Sequence, residues 1–146
     1  MIKKTNGGFF ISQIKQLSGR VFERLLKDND IDDFNGPQGR ILYVLWQEDN
    51  LPISEISKRT SLAKTTLTSM LDRMEKAGHI KRNFNPANRR QILITLTPEA
   101  IALNTRYETV SRQMSEIFYK GFQDDEIFHF EKTLERIMNN LKENEG

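Results

Sequence analysis

Residues Leu51 to Thr97 read LPISEISKRTSLAKTTLTSMLDRMEKAGHIKRNFNPANRRQILITLT, and this stretch decides the fold. A short helix is expected over Ser54 to Arg59. Thr60, Ser61 and Leu62 leave room only for a tight corner. A second helix follows over Lys64 to Lys76. Its apolar residues Leu67, Met70, Leu71 and Met74 recur at helical spacing, so one stripe packs inward. The opposite face carries Lys64, Thr65, Thr68, Ser69 and Asp72. Gly78 suits the left-handed backbone that closes a helix, because it has no Cβ to clash there.

A β-ribbon is expected next. Ile80 to Phe84 forms one run. Gln91 to Leu96 forms another, with Ile92, Ile94 and Leu96 alternating against Leu93 and Thr95. Between them lies a turn-forming loop, Asn85-Pro86-Ala87-Asn88-Arg89-Arg90, with both arginines at its end. A helix able to enter a major groove, followed by a ribbon tipped with arginine, is a pattern that reads DNA. The fold class is therefore mainly α with a small β-wing: a winged helix–turn–helix lobe with a helical dimerisation region.

Charge points the same way. Leu51 to Thr97 holds nine Lys or Arg against three Asp or Glu, a net of +6, whereas the whole chain is only +2. The remainder is acidic, so positive charge gathers where phosphate would be met.

The chain has 146 residues, enough for one domain with a real core. No run approaches the roughly 18 apolar residues that span a bilayer. The start, MIKKTNGGFF, lacks the pattern of a secretory signal, so a cytoplasmic location and no membrane partner are expected. Cysteine is absent, which excludes disulfides, thiolate ligands and thiol redox sensing. His79 and His129 have no ligand-like spacing; they are expected at the wing's start and on an exposed helix face, and no metal or cofactor is expected.

Outward from the centre, long helices are expected. Phe10, Ile14, Leu17, Val21 and Leu25 mark one over Phe9 to Asp28. Asn29 to Gly36 is an acidic connection, and Pro37 suits the first turn of a helix reaching Glu48. Trp46 is most simply core there; the wall of a ligand pocket is the alternative. Asp49 to Pro52 is expected as a turn. After the ribbon, Thr97 can cap, Pro98 fits the first helical position and Glu99 complements the dipole. One helix is expected over Pro98 to Lys120, a break at Gly121, and a last helix from the acidic Asp124-Asp125-Glu126 to Leu141, with Lys142 to Gly146 fraying. These amphipathic ends need something to bury against. A symmetric dimer is expected over a monomer with a folded-back hairpin. The division is a single domain, 1–146, with 37–97 as the winged lobe and 1–36 and 98–146 as the dimerisation region.

The segments ISEISKRTSLAKTTLTSMLDRMEKAGHIKR and NRRQILITLTPEA resemble the MarR family of bacterial transcription regulators. The second resembles that family's wing signature, Asp-x-Arg, five residues, Leu-Thr. Here it runs Asn88-Arg89-Arg90, Gln91 to Thr95, Leu96-Thr97. The resemblance implies a homodimer that binds a twofold-symmetric, palindromic operator in double-stranded DNA as a transcriptional regulator, with repression the expected mode. By position, Lys64, Thr65, Thr66, Thr68 and Ser69 face the major groove, and Arg90 enters the minor groove beside Arg89. Arg73 either meets phosphate or braces the lobe through Asp72 or Glu75. The family's small, often anionic aromatic effector implies a pocket that Arg20, Tyr43 and Trp46 could line.

Two departures from the family pattern stand out. Asn88 replaces the aspartate that helps hold the wing. Ala63 stands where a capping serine is usual, at a typical cost of about 1 kcal/mol, which Ser61 could offset. An enzyme is not expected, since the chain has no cysteine, no paired His and carboxylate, and no Gly-rich phosphate loop. A protein-binding adaptor without DNA affinity is the alternative.

Overall fold

The computed structural model describes residues 4–145. In chain order these form α1 (Gly7–Asp28), α2 (Gly36–Gln47), β1 (Leu51–Pro52), α3 (Ile53–Thr60), α4 (Lys64–Lys76), β2 (Ile80–Asn85), β3 (Asn88–Leu96), α5 (Pro98–Ala102), α6 (Asn104–Phe118) and α7 (Asp124–Glu143). Met1 to Lys3 and Gly146, the outer ends of the expected dimerisation region, lie outside the described residues.

Helix α2 begins where its sequence can satisfy its first amides. Asn35 accepts a hydrogen bond from the Gln38 N–H at 2.9 Å, and Gln38 accepts one from the Asn35 N–H at 3.1 Å, with Pro37 in the first turn. The acidic turn before it is tied to α6: Arg106 donates to the carbonyls of Asn29 and Asp30 at 3.1 and 2.9 Å. Gly39 allows α2 to approach α6, since a Cβ there would lie 2.8 Å from the Tyr107 ring.

The core runs through α1 to α4, the sheet and α6. Leu26 of α1, Ile41, Leu42 and Leu45 of α2, Ile56 of α3, Leu67, Leu71 and Met74 of α4, Ile80 and Ile94 of the sheet and Val110 of α6 are all fully buried. The long terminal helices behave differently. Phe9, Phe10, Ile14 and Leu17 of α1 are exposed, and no residue of α7 is buried.

Four details depart from the sequence reading. The Asp49–Pro52 turn contains a strand, β1, which pairs antiparallel with β3 (Leu51 opposite Ile94), giving the order β1-β3-β2. Leu51 is buried, and Asp49 Oδ1 accepts the Leu96 N–H at 2.9 Å, which holds the edge. The ribbon strands reach further than expected, so Pro86 and Ala87 form the turn and Arg89 and Arg90 lie in β3. The helix expected over Pro98 to Lys120 is two helices, interrupted at Leu103 and ending at Phe118. Leu103 keeps right-handed angles (φ −73°, ψ −12°) and its N–H bonds to Ala100, so the interruption is a tightened turn rather than a corner. Finally, α7 stays helical through Glu143, past the expected onset of fraying.

Thr97 joins wing and helix. Its hydroxyl accepts the Ala100 N–H at 3.2 Å, capping α5, and donates to the Gly78 carbonyl at 2.7 Å, in a buried position. Thr97→Val preserves the shape and removes both bonds. Its unfolding free energy should fall by about 1–3 kcal/mol, read as a lower denaturant midpoint at unchanged slope.

Candidate nucleic-acid interface

Helices α3 and α4 meet through a three-residue corner built from side chains. Ser61 adopts the left-handed conformation (φ 60°) that ends α3. Ser57 Oγ donates to the Leu62 carbonyl at 2.7 Å, and Thr60 Oγ1 donates to the Ile56 carbonyl at 2.7 Å. Helix α4 then starts at Ala63 with no side-chain cap, so Ser61 does not supply the missing serine's bond. Its far end is closed more firmly. The Gly78 N–H bonds to Glu75 and the His79 N–H to Met74, around a glycine at φ +83°. That pairing is a Schellman closure.

With Leu67, Leu71 and Met74 buried, α4 presents Lys64, Thr65, Thr66, Thr68, Ser69 and Arg73 to solvent. All six sequence-expected residues of this helix are therefore exposed. His79 stands at the wing's start, as expected; it is buried, and its Nε2 lies 2.6 Å from the Asp33 carbonyl, which places the proton on that nitrogen. His129 is exposed, as expected.

The wing is braced by a residue that sequence reasoning passed over. Arg82 of β2 donates to Asp72 at 2.7 Å and Glu75 at 2.8 Å, both on α4. Arg73, on the same helix, makes no salt bridge among the described residues. Thus Arg82, and not Arg73, braces the lobe through those carboxylates. Partial burial works against the Arg82 charge, but the Asp72 and Glu75 carboxylates outweigh it and hold its pKa above the ordinary arginine value. Arg59 is engaged similarly, with Glu48 at 2.7 Å and Glu55 at 3.0 Å.

At the tip, Asn85 Oδ1 accepts the Ala87 N–H at 3.0 Å and Asn88 Oδ1 accepts the Arg90 N–H at 3.1 Å. Asn88 therefore still anchors the wing through its carbonyl oxygen, without the charge an aspartate would bring. Arg89 and Arg90 are exposed and make no salt bridge among the described residues. Of the nine basic residues between Leu51 and Thr97, only Arg59 and Arg82 are held in ion pairs among the described residues. Lys58, Lys64, Arg73, Lys76, Lys81, Arg89 and Arg90 remain available, all on one lobe.

The other expected site comes together in part. Tyr43 and Trp46 of α2 line an open cleft of about 490 Å³ with Tyr107, Ser111 and Arg112 of α6. Trp46 is also a packing residue: its Nε1 donates to the Ala100 carbonyl at 2.9 Å and its ring lies 5.1 Å from that of Tyr107. Burial raises the pKa of the Tyr107 hydroxyl despite the opposing charge of Arg40, so it stays a donor at neutral pH. Arg20 is not among the lining residues; Arg112 is the cation there. Only the fold, which sets α6 against α2, brings Arg112 and Tyr107 to this place.

A corner-joined helix pair, an exposed hydroxyl-rich helix face and a basic two-stranded ribbon define a winged helix–turn–helix. The model of the MarR family matches residues 34–92. The regulator YsmB of Bacillus subtilis, an uncharacterised helix–turn–helix transcriptional regulator, is 32% identical over 106 residues, 73% of each chain. The transcriptional regulator TtmR of Methylorubrum extorquens is 34% identical over 90 residues, 62% of this chain and 45% of the relative, so the match spans about half that protein's length. The solved structure of reduced AbfR bound to DNA superposes with a TM-score of 0.71 at 28% identity, covering 91% of this chain and 90% of that one. The chain belongs to the MarR family of helix–turn–helix transcriptional regulators.

Arg82→Gln tests the brace without DNA. Both carboxylates are more than a third exposed, so the loss of global stability should stay at or below about 1 kcal/mol. Amide hydrogen exchange should nevertheless quicken in β2 and β3 and stay unchanged in α2. Equal exchange in both proteins would refute the brace.

Proposed function

We propose that this chain is the subunit of a homodimeric regulator of transcription that binds palindromic sites in double-stranded DNA. In this reading 37–97 forms the DNA-reading lobe, and 1–36 with 98–146 forms the clasp between subunits. The observation that carries it is the set of seven basic side chains on α3, α4 and the wing that have no ion-pair partner among the described residues. Thr65, Thr66, Thr68 and Ser69 meet base edges in the major groove, where hydroxyls accept or donate and a threonine methyl can meet a thymine methyl. Lys64, at the positive end of its helix, meets phosphate, as does Arg73 now that Arg82 occupies its neighbouring carboxylates. Arg90 enters the minor groove and Arg89 lies beside it, a placement favoured where that groove is narrow.

The dimer is supported by what the single chain leaves in water. Phe9, Phe10 and Leu17 of α1 are each more than half exposed, as is Leu141 of α7. Two such helices from each subunit, interleaved, cover these faces and set two lobes about 34–36 Å apart, one turn of duplex. Among the described residues no helix is long and apolar enough to cross a membrane. The regulator acts in the cytoplasm by binding, as a repressor and without catalysis, metal or cofactor.

The cleft between α2 and α6 supports one addition. Aromatic walls from Tyr43, Trp46 and Tyr107 with the Arg112 cation suit a small aromatic anion as effector.

Anisotropy titration of a labelled duplex at several salt concentrations checks the reading. Affinity should fall steeply with salt, because each neutralised phosphate releases counterions. An adaptor that recognises protein would show no duplex affinity even at low salt. Within the same titration, Arg90→Ala should lose preference for narrow-groove flanks more than Thr68→Ala does. Leu141→Asp combined with Leu17→Asp should sediment as one chain and lose operator affinity by more than tenfold.

A further inference from the structure

Phe84 is 72% exposed, the most exposed large apolar side chain among the described residues. It lies directly across the hairpin from Ile92, which is also exposed. The pair sits on the wing, not on the α1 and α7 faces assigned to the subunit clasp. A lone surface aromatic needs no explanation; this one is placed within a sequence of functional groups. Arg82 pairs with Ile94 and Phe84 with Ile92 across the same two strands. Side chains alternate along a strand, so Arg82 and Phe84 share one side of β2, and Ile92 and Ile94 share the matching side of β3; beyond them the register shifts, and Arg90 lies in that irregular stretch toward the tip. That side faces α4, because Arg82 reaches Asp72 and Glu75 from it. Outward from α4, the order is Arg82, then Phe84 with Ile92, then Arg90.

A duplex held by α4 at one end and by Arg90 near the tip at the other runs its backbone along the stretch of ribbon where Phe84 stands. What lies between a major and a minor groove is one strand: charged phosphates alternating with the C–H edges of deoxyribose. Lys64 and Arg73 of α4 and Arg90 near the tip complement the phosphates, and the apolar pair on the ribbon between helix and tip complements the sugars.

We infer that Phe84, backed by Ile92, packs against the deoxyribose edges of the strand separating the two grooves, and so fixes where along that strand the wing enters. This rests on the DNA-binding reading above. The test uses a duplex selected by the wild-type protein from a randomised library. Affinity is measured across a salt series for wild type, Phe84→Ala, Phe84→Leu and Lys64→Ala, with a hydroxyl-radical footprint of each complex, since that reagent attacks exposed sugars.

Phe84→Ala should bind about tenfold more weakly at every salt concentration, with the log–log slope unchanged, and should re-expose a short block of sugars while the rest of the footprint persists. Phe84→Leu should keep most of the affinity. Lys64→Ala should instead shallow the slope by about 1. The thermal midpoint of Phe84→Ala should match wild type, because the ring already stands in water. Wild-type affinity and footprint in Phe84→Ala would overturn the inference. So would a slope change like that of Lys64→Ala, or weakened self-association with unchanged DNA affinity, which assigns the ring to a protein contact. A wild-type protein that selects no duplex brings down the DNA reading itself, a result distinct from any of these.

Discussion

A helix of thirteen residues with an alanine at its N-cap does not hold its shape alone in water, since nucleation is costly and its first amides lack a side-chain acceptor. Helix α4 depends on burying one stripe. Leu67, Leu71 and Met74 are wholly removed from solvent against Ile56, Ile80 and Ile94. At roughly 1.5–3 kcal/mol for each fully buried aliphatic side chain, that stripe outweighs the missing cap several times over. The consequence is functional. Because packing alone fixes the helix, its opposite face is free of structural duty and can consist of hydroxyls and a lysine. The Schellman closure around Gly78 then turns the chain straight into the wing, so helix and ribbon keep a set relation.

Electrostatics refines this relation. Two carboxylates, Asp72 and Glu75, lie on the helix that would approach phosphate, where they would repel it. Arg82 bridges both, offsets one of their two charges and, from β2, ties the wing to the helix. Arg59 does the same for Glu48 and Glu55 on the other side of the helix–turn–helix. Two internal arginines thus hold four carboxylates and offset half of their charge. The cations left over carry the field felt by a partner, a stronger argument than net charge alone.

How much of this could be read from the sequence depends on how local each signal is. The spacing of Leu67, Met70, Leu71 and Met74, the Thr97-Pro98-Glu99 start and the glycine at position 78 are local patterns set by helix geometry, and they located α4 and α5. Strand β1 was missed because two residues show no period; Leu51 is a strand residue only because Ile94 lies beside it. The wing arginines were placed in a loop because Asn85-Pro86-Ala87-Asn88 reads as turn throughout, whereas the ladder continues to Asn85 and resumes at Asn88. In a linear reading Arg73 lies beside Asp72 and Glu75, whereas Arg82 is a whole turn and half a strand away, so sequence proximity favours the wrong arginine. Only the register that sets Arg82 opposite Ile94, on the side of the sheet facing α4, selects between them. Arg112 and Tyr107 beside Tyr43 could not be found without the packing of α6 on α2.

That last placement bears on how such a molecule could be switched. The cleft takes Tyr43 and Trp46 from α2, in the proposed reading lobe, and Tyr107 and Arg112 from α6, in the proposed clasp. Gly39 lets these two helices touch closely, and the Trp46 indole ties the lobe to Ala100 of α5. A ligand can shift an equilibrium only through unequal affinity for its states, about 1.4 kcal/mol for each tenfold. For a ligand in this cleft, contacts to α2 and α6 together would supply that inequality wherever a rotation of lobe against clasp changes the distance between the two walls. DNA acts on the same coordinate from the other end, by fixing the separation of two α4 helices. Ligand and DNA would therefore compete without touching. By reciprocity, the weakening each imposes on the other must be equal in free energy.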